Sequence, residues 1–182
     1  TRHFGDGGHM QYEDVLGLRL FSQNLIGPPM DNPGTVVNRL LAVQSPDLAL
    51  TGAAVSLRAS CSVERFRSDL DAGWLVRTHV LRPTWHIVAV DDLPWLRELM
   101  SEETRDALAA KERRLDLDPQ IRSAALSSFA DALAQGPLTR GELQKKLQHD
   151  GVLGECSMLG RQVGHLLLAA ELDGSLVARP AA

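Results

Sequence analysis

Between residues 74 and 90 the chain drops the helical spacing that governs the sequence on either side. Residues 74–82 and 84–90 are rich in Val, Thr, Trp and Ile, and Arg82-Pro83 splits the run. These residue types favour a pleated, half-buried surface, and two such runs around one break predict a β-hairpin. An isolated hairpin is barely stable in water, so this one must pack against its helical flanks. That requirement narrows the fold to a mainly α class with small β-hairpins.

The flanks supply the helices. Residues 12–25 carry Val15, Leu16, Leu20 and Phe21 at helical spacing, stopped by Gly27-Pro28-Pro29. Asp31 or Asn32 caps a second helix, whose apolar face is Val36, Val37, Leu40, Leu41 and Val43 and which Pro46 ends. A third covers residues 48–57. Ser62 caps a fourth, with Val63, Phe66 and Leu70 inward and Gly73 closing it. Helices followed by a hairpin outline a winged helix, the helix-turn-helix variant with a β-wing. The order then recurs. One helix runs to Met100 and a charged one from 102 to 114, and Asp118-Pro119 opens another that Gly136-Pro137 ends. Thr139 and Glu142 form a capping box, and Ser157 caps a last helix with Leu159, Val163, Leu166, Leu167 and Ala170 on its core face. Residues 175–178 read as a strand with no partner left in the chain. The expected division is a disordered leader or remnant (1–10), a first winged-helix unit (11–90), an acidic helical connector (91–118) and a second unit with an incomplete wing (119–182).

Composition agrees with packed helices. Of 182 residues, 44% are hydrophobic but only 4% aromatic, so the cores must be built from Leu, Val and Ala. Cys61 and Cys156 are far apart and match no metal spacing, which predicts two reduced and mostly buried thiols. No apolar run approaches the roughly 20 residues that span a bilayer, and no signal peptide is visible, so a cytoplasmic protein is expected. The net charge of −4 excludes a strongly basic DNA-coating protein. The acidity is concentrated: residues 91–118 hold nine acids against five bases, whereas residues 55–86 carry Arg58, Arg65, Arg67, Arg77 and Arg82 against three acids.

Three stretches, residues 40–47 (LLAVQSPD), 75–88 (LVRTHVLRPTWHIV) and 164–174 (GHLLLAAELDG), resemble the AlkZ-like winged-helix DNA glycosylases. The resemblance covers about residues 12–177. It implies tandem winged helices that wrap double-stranded DNA, an activity that removes alkylated or crosslinked bases, and a continuation into a third winged helix and a small β-rich region. It also implies a Gln-x-Gln or Gln-x-Asp catalytic motif at the end of the helix matching residues 35–43. Gln44 occupies its first position. Pro46 occupies the second, where it offers neither donor nor acceptor side chain, and Asp47 follows. Hydrolysis of an N-glycosidic bond needs a positioned water and stabilisation of a cationic sugar.

The candidate catalytic residues are therefore Gln44, to orient water, and Asp47, as base. The structural alternatives are a polar helix end for Gln44 and a cap of the next helix for Asp47, the favoured reading of the latter. Candidate DNA contacts are Arg58, Arg77, His79, Arg82, His86, Lys145 and Arg161; alternation puts Arg77 and His79 on one face of the hairpin. A buried histidine pinning the hairpin to the helices is the competing reading of His79 or His86. Arg161 and His165 share a helical face, and Arg140, Lys146 and His149 lie on the same helix as Lys145. Trp74, Trp85 and Trp95 could stack on bases, with burial beneath the wing the simpler reading. No metal, cofactor or membrane partner is expected, and the sequence leaves the oligomeric state open. Three functions follow: a monofunctional DNA glycosylase, a non-catalytic DNA-binding or regulatory protein of the same fold, or a protein-interaction module.

Overall fold

In the computed structural model residues 11–81 and 84–178 are described. The expected leader, Arg82 and Pro83 lie outside the described residues. Helix α1 (Tyr12–Ser22) ends three residues earlier than its apolar spacing predicts, and it buries none of its residues. Helix α2 (Pro33–Leu40) starts where Asn32 accepts the Thr35 N–H at 2.9 Å, with Pro33 in its first turn. It ends because Leu41 adopts φ 67°. Val43, expected on the face of α2, instead begins strand β1 (Val43–Gln44).

Helix α3 (Leu48–Ser56) is capped by Asp47, and α4 (Val63–Asp71) by Ser62. Gly73, at φ 80°, turns the chain into the hairpin. Its strands are β2 (Leu75–His79) and β3 (Trp85–Ala89), both shorter than expected. The sheet has three strands in the order β1-β3-β2, all antiparallel. Val43 lies opposite Ile87 and Gln44 opposite His86, while Arg77 faces Ile87 and His79 faces Trp85.

Alternation gives the sheet two buried faces. On one, Leu75, Ile87 and Val43 pack with Val36, Val37, Val55, Phe66 and Leu70. On the other, Val76, Val80 and Val88 pack with Leu93, Leu96 and Ala42. Leu93 opens α5 (Leu93–Arg114), one continuous helix where two were expected; no glycine or proline interrupts it near Met100. Farther along, its Leu108 meets Leu168 and Ala169.

The second half is built on α6 (Pro119–Leu133), α7 (Arg140–His149) and α8 (Leu159–Leu172), which bury Phe129, Leu143, Leu147, Val163 and Leu166 together. The expected capping box is present, with Thr139 N donating to Glu142 Oε2 at 2.7 Å. Ser157 stands one residue outside α8, whose cap position is Met158. Residues 175–178 form no strand; Leu176 packs against the core of α6–α8. No helix among the described residues is long and apolar enough to cross a membrane.

Candidate functional site

The sheet positions the turn that carries Gln44. Strand β1 holds only two residues, and Ser45 N extends its ladder by donating to the Trp85 carbonyl at 2.7 Å. Gln44 is exposed at the edge of this sheet. After it the chain turns sharply inward. Ser45 is fully buried, and Thr51 Oγ1 lies 3.0 Å from its hydroxyl and 2.6 Å from the Asp47 carbonyl. Asp47 Oδ1 accepts the Leu50 N–H at 2.9 Å. The carboxylate of Asp47 is thus a helix cap, the structural reading of that residue.

Arg77 clamps the turn from β2. Its Nε and one terminal nitrogen reach the Ser45 carbonyl at 3.1 and 2.8 Å, and that terminal nitrogen also reaches Pro46 O at 3.2 Å. The guanidinium carbon sits 4.4 Å from the centre of the Trp85 ring. Partial burial pulls the guanidinium below its ordinary pKa, and the carboxylates of Glu171 and Asp47 pull the other way. Arg77 therefore holds the Gln44-bearing turn rather than extending into solvent.

His79 follows the expected alternation and rests against the same Trp85 ring, with centroids 4.0 Å apart. Its Nδ1 lies 2.8 Å from Oε2 of Glu171 on α8. That oxygen also accepts the His79 backbone N–H at 3.0 Å and the Thr78 hydroxyl at 3.2 Å. Glu171 is 2% exposed, so these three bonds replace the water it loses. The sequence reading missed Glu171. A signal existed, because it falls four residues after Leu167 on the apolar stripe of α8.

The remaining candidates disperse. His86 is buried, 3% exposed, with Nδ1 3.0 Å from the Thr84 carbonyl within the hairpin, so the histidine that ties the hairpin to a helix is His79, through Glu171. Arg58 donates to the Gln23 and Ala54 carbonyls at 2.8 and 2.7 Å, and so ties the end of α1 to α3. Lys145 and Arg161 are exposed on α7 and α8. Lys146 pairs with Asp150. His165, expected to share an exposed face with Arg161, is buried instead, 3.6 Å from Glu112 Oε1. Trp74 and Trp95 are exposed, against the expectation of burial beneath the wing, and Trp95 Nε1 donates to Asp92. Arg82 lies outside the described residues. Among the described residues no group of three His, Cys, Asp or Glu side chains could hold a metal ion.

The chemistry available is therefore an exposed amide on a clamped turn and a carboxylate–imidazole pair behind it. No curated protein matches the chain. Among solved structures, the Streptomyces sahachiroi DNA glycosylase AlkZ shares the fold at a TM-score of 0.76 and 23% sequence identity. The match covers 91% of this chain and 45% of that one, so the chain spans under half the length of that relative. The family model described as DNA glycosylase AlkZ-like matches residues 37–182, which takes in β1, the Arg77 clamp and Glu171. On that match the chain belongs to the AlkZ-like DNA glycosylase family.

Proposed function

We propose that this chain binds double-stranded DNA with units 11–90 and 119–182 as its two arms, and that Gln44 orients a water for hydrolysis of the N-glycosidic bond of an alkylated base. The observation that carries the reading is the exposed Gln44, held on a turn that Arg77 fixes through two successive carbonyls. An alkylated, cationic base is already a good leaving group, so the protein's main tasks are to place water and to meet the developing charge on the sugar. A glutamine amide oxygen can accept a hydrogen bond from that water but cannot take its proton. On this reading the proton passes to solvent, Asp47 remains a cap, and Arg77 is a positioning residue. Lys145 and Arg161, exposed on α7 and α8, serve as phosphate contacts.

Incubation of the chain with alkylated duplex DNA, followed by an assay for abasic sites, tests the reading. Product above background, abolished by Gln44→Ala and raised by Pro46→Gln, supports it. No product, together with salt-sensitive DNA binding, favours a second reading in which the chain binds DNA without cleaving it. The observation behind that alternative is Pro46, whose side chain can neither donate nor accept at the second position of the motif. In either case Lys145→Ala and Arg161→Ala should each flatten the dependence of log affinity on log salt by about one unit.

A further inference from the structure

Two tryptophans and the acidic stretch that starts at residue 91 take no part in the Gln44 site, and the fold gathers them on one side of the sheet. Trp74 lies just before β2 and opposite Val90, whose N–H donates to its carbonyl at 3.1 Å. Strand alternation turns Trp74 with Val76 and Val90 with Val88, the pair that packs on Leu93 and Leu96 of α5. Trp74 and Val90 therefore lie on the α5 side of the sheet, yet they are 68% and 38% exposed. On α5 itself Leu93 and Leu96 are buried, while Trp95 and Leu99, one turn apart, are 42% and 69% exposed. Trp95 Nε1 donates to Asp92 Oδ1 at 2.9 Å, which holds the ring at the surface. The charge beside these apolar groups has one dominant sign. Residues 91–106 hold six acids and two bases, and one of the bases, Arg97, is drawn inward to the Leu176 carbonyl.

We propose that this face docks a basic segment of another protein. An aliphatic or aromatic anchor of that segment packs among Trp74, Val90, Trp95 and Leu99, and its Lys or Arg side chains lie over the tryptophan rings and the acids of α5. Exposed tryptophan is the residue type that carries most binding energy once a partner covers it. Its ring face also attracts a cation. The hydrogen bond to Asp92 fixes the Trp95 ring before binding, so little rotamer freedom is lost on docking. The excess of acids attracts a basic partner and repels a phosphate backbone, which selects protein over DNA. The patch sits at the open base of the hairpin, whereas Gln44 pairs with His86 towards its other end. The docking face is thus separate from the Gln44 turn, and it stands whether or not the chain cleaves DNA.

Calorimetric titration of the chain with an amphipathic helical peptide built only of leucine and lysine tests this. Two control peptides carry glutamate in place of lysine or serine in place of leucine. The expected result is saturable binding of the leucine–lysine peptide that weakens as salt rises. The glutamate peptide should not bind, and the serine peptide should bind at least about tenfold more weakly. Trp95→Ala and Leu99→Ser should each weaken binding by about fivefold or more, and Asp91→Lys should weaken it with a smaller dependence on salt. Leu18→Ser, at an exposed apolar position on α1, should leave it unchanged. Equal affinity for the lysine and glutamate peptides, an equal loss in Leu18→Ser, or no saturation would overturn the proposal. So would loss of duplex-DNA binding in Trp95→Ala and Leu99→Ser, which would make the face a nucleic-acid surface. A concentration-dependent dimer that Trp95→Ala abolishes would overturn it too, by making a second copy the occupant. Because the peptides are compared on the unaltered chain, the test survives a variant that fails to fold.

Discussion

Arg77 reaches from β2 across the sheet to two successive carbonyls, a geometry that its forked guanidinium supplies and an ammonium does not. Arg77→Ala should cost about 2 kcal/mol, the worth of hydrogen bonds to a charged donor, measured by urea denaturation. Arg77→Lys should recover only part of that loss. Asp47 allows a cleaner separation of roles. Asparagine caps a helix as well as aspartate does but cannot accept a proton. Asp47→Asn should therefore leave stability nearly unchanged, whereas Asp47→Ala should cost about 1 kcal/mol. If base release falls severely in Asp47→Asn while the urea midpoint holds, the carboxylate is more than a cap.

Gly52 shows what limits the contact between α3 and α4. A Cβ there would sit 3.0 Å from Phe66 Cδ1 and 3.1 Å from Val63 Cγ1, and Phe66 is fully buried. Alanine would add up to about 1 kcal/mol of helix propensity, but overpacking such a site costs about 1–3 kcal/mol. Gly52→Ala should therefore destabilise, visible as a lower midpoint in thermal unfolding. The same element-level physics separates what was legible in the sequence from what was not. Asn32, Asp47, Ser62, Asp118 and Thr139 announce their helices because capping is a local interaction. The hairpin was equally legible, because its period differs from that of its neighbours. Strand β1 was not: two residues have no period of their own, and Val43 continues the helical spacing of α2 until Leu41 turns the chain. Residues 175–178 erred in the other direction, strand-like in type but without a strand partner. In the site, Gln44 came forward through the family resemblance, and Arg77 through its place on the hairpin, but as a phosphate contact and not as the clamp on the Ser45 and Pro46 carbonyls. The partnership of His79 with Glu171 did not, since tertiary packing alone brings those residues together.

His165 belongs to the molecule as a whole, because it reaches from α8 to Glu112 on α5. Its side chain is buried, and neither ring nitrogen has a hydrogen-bond partner among the described residues. Burial lowers its pKa from 6.5; Glu112 opposes that shift, while Lys111 and Arg122 add to it. The unfolded chain therefore takes up a proton as pH falls through about 6.5, and the folded chain resists until lower pH. The stability this provides is present above pH 6.5 and lost progressively below it. Urea midpoints measured from pH 8 down to pH 5 should fall over that interval, and His165→Leu should flatten the fall; an unchanged profile in that variant would place the titration elsewhere. Glu171 holds the two halves together from the other side, and Glu171→Ala should cost about 3 kcal/mol by leaving His79 and Thr78 unpaired inside, again read by urea denaturation. The position of that glutamate also bears on the order of assembly. Glu171 follows His79 by 92 residues and takes the His79 N–H on the outer edge of β2, which no other strand covers among the described residues. A chain made from its N-terminus completes the hairpin long before α8 exists. Through that interval the edge is open to pairing with another nascent chain, and closing it waits on one of the most distant contacts in the molecule.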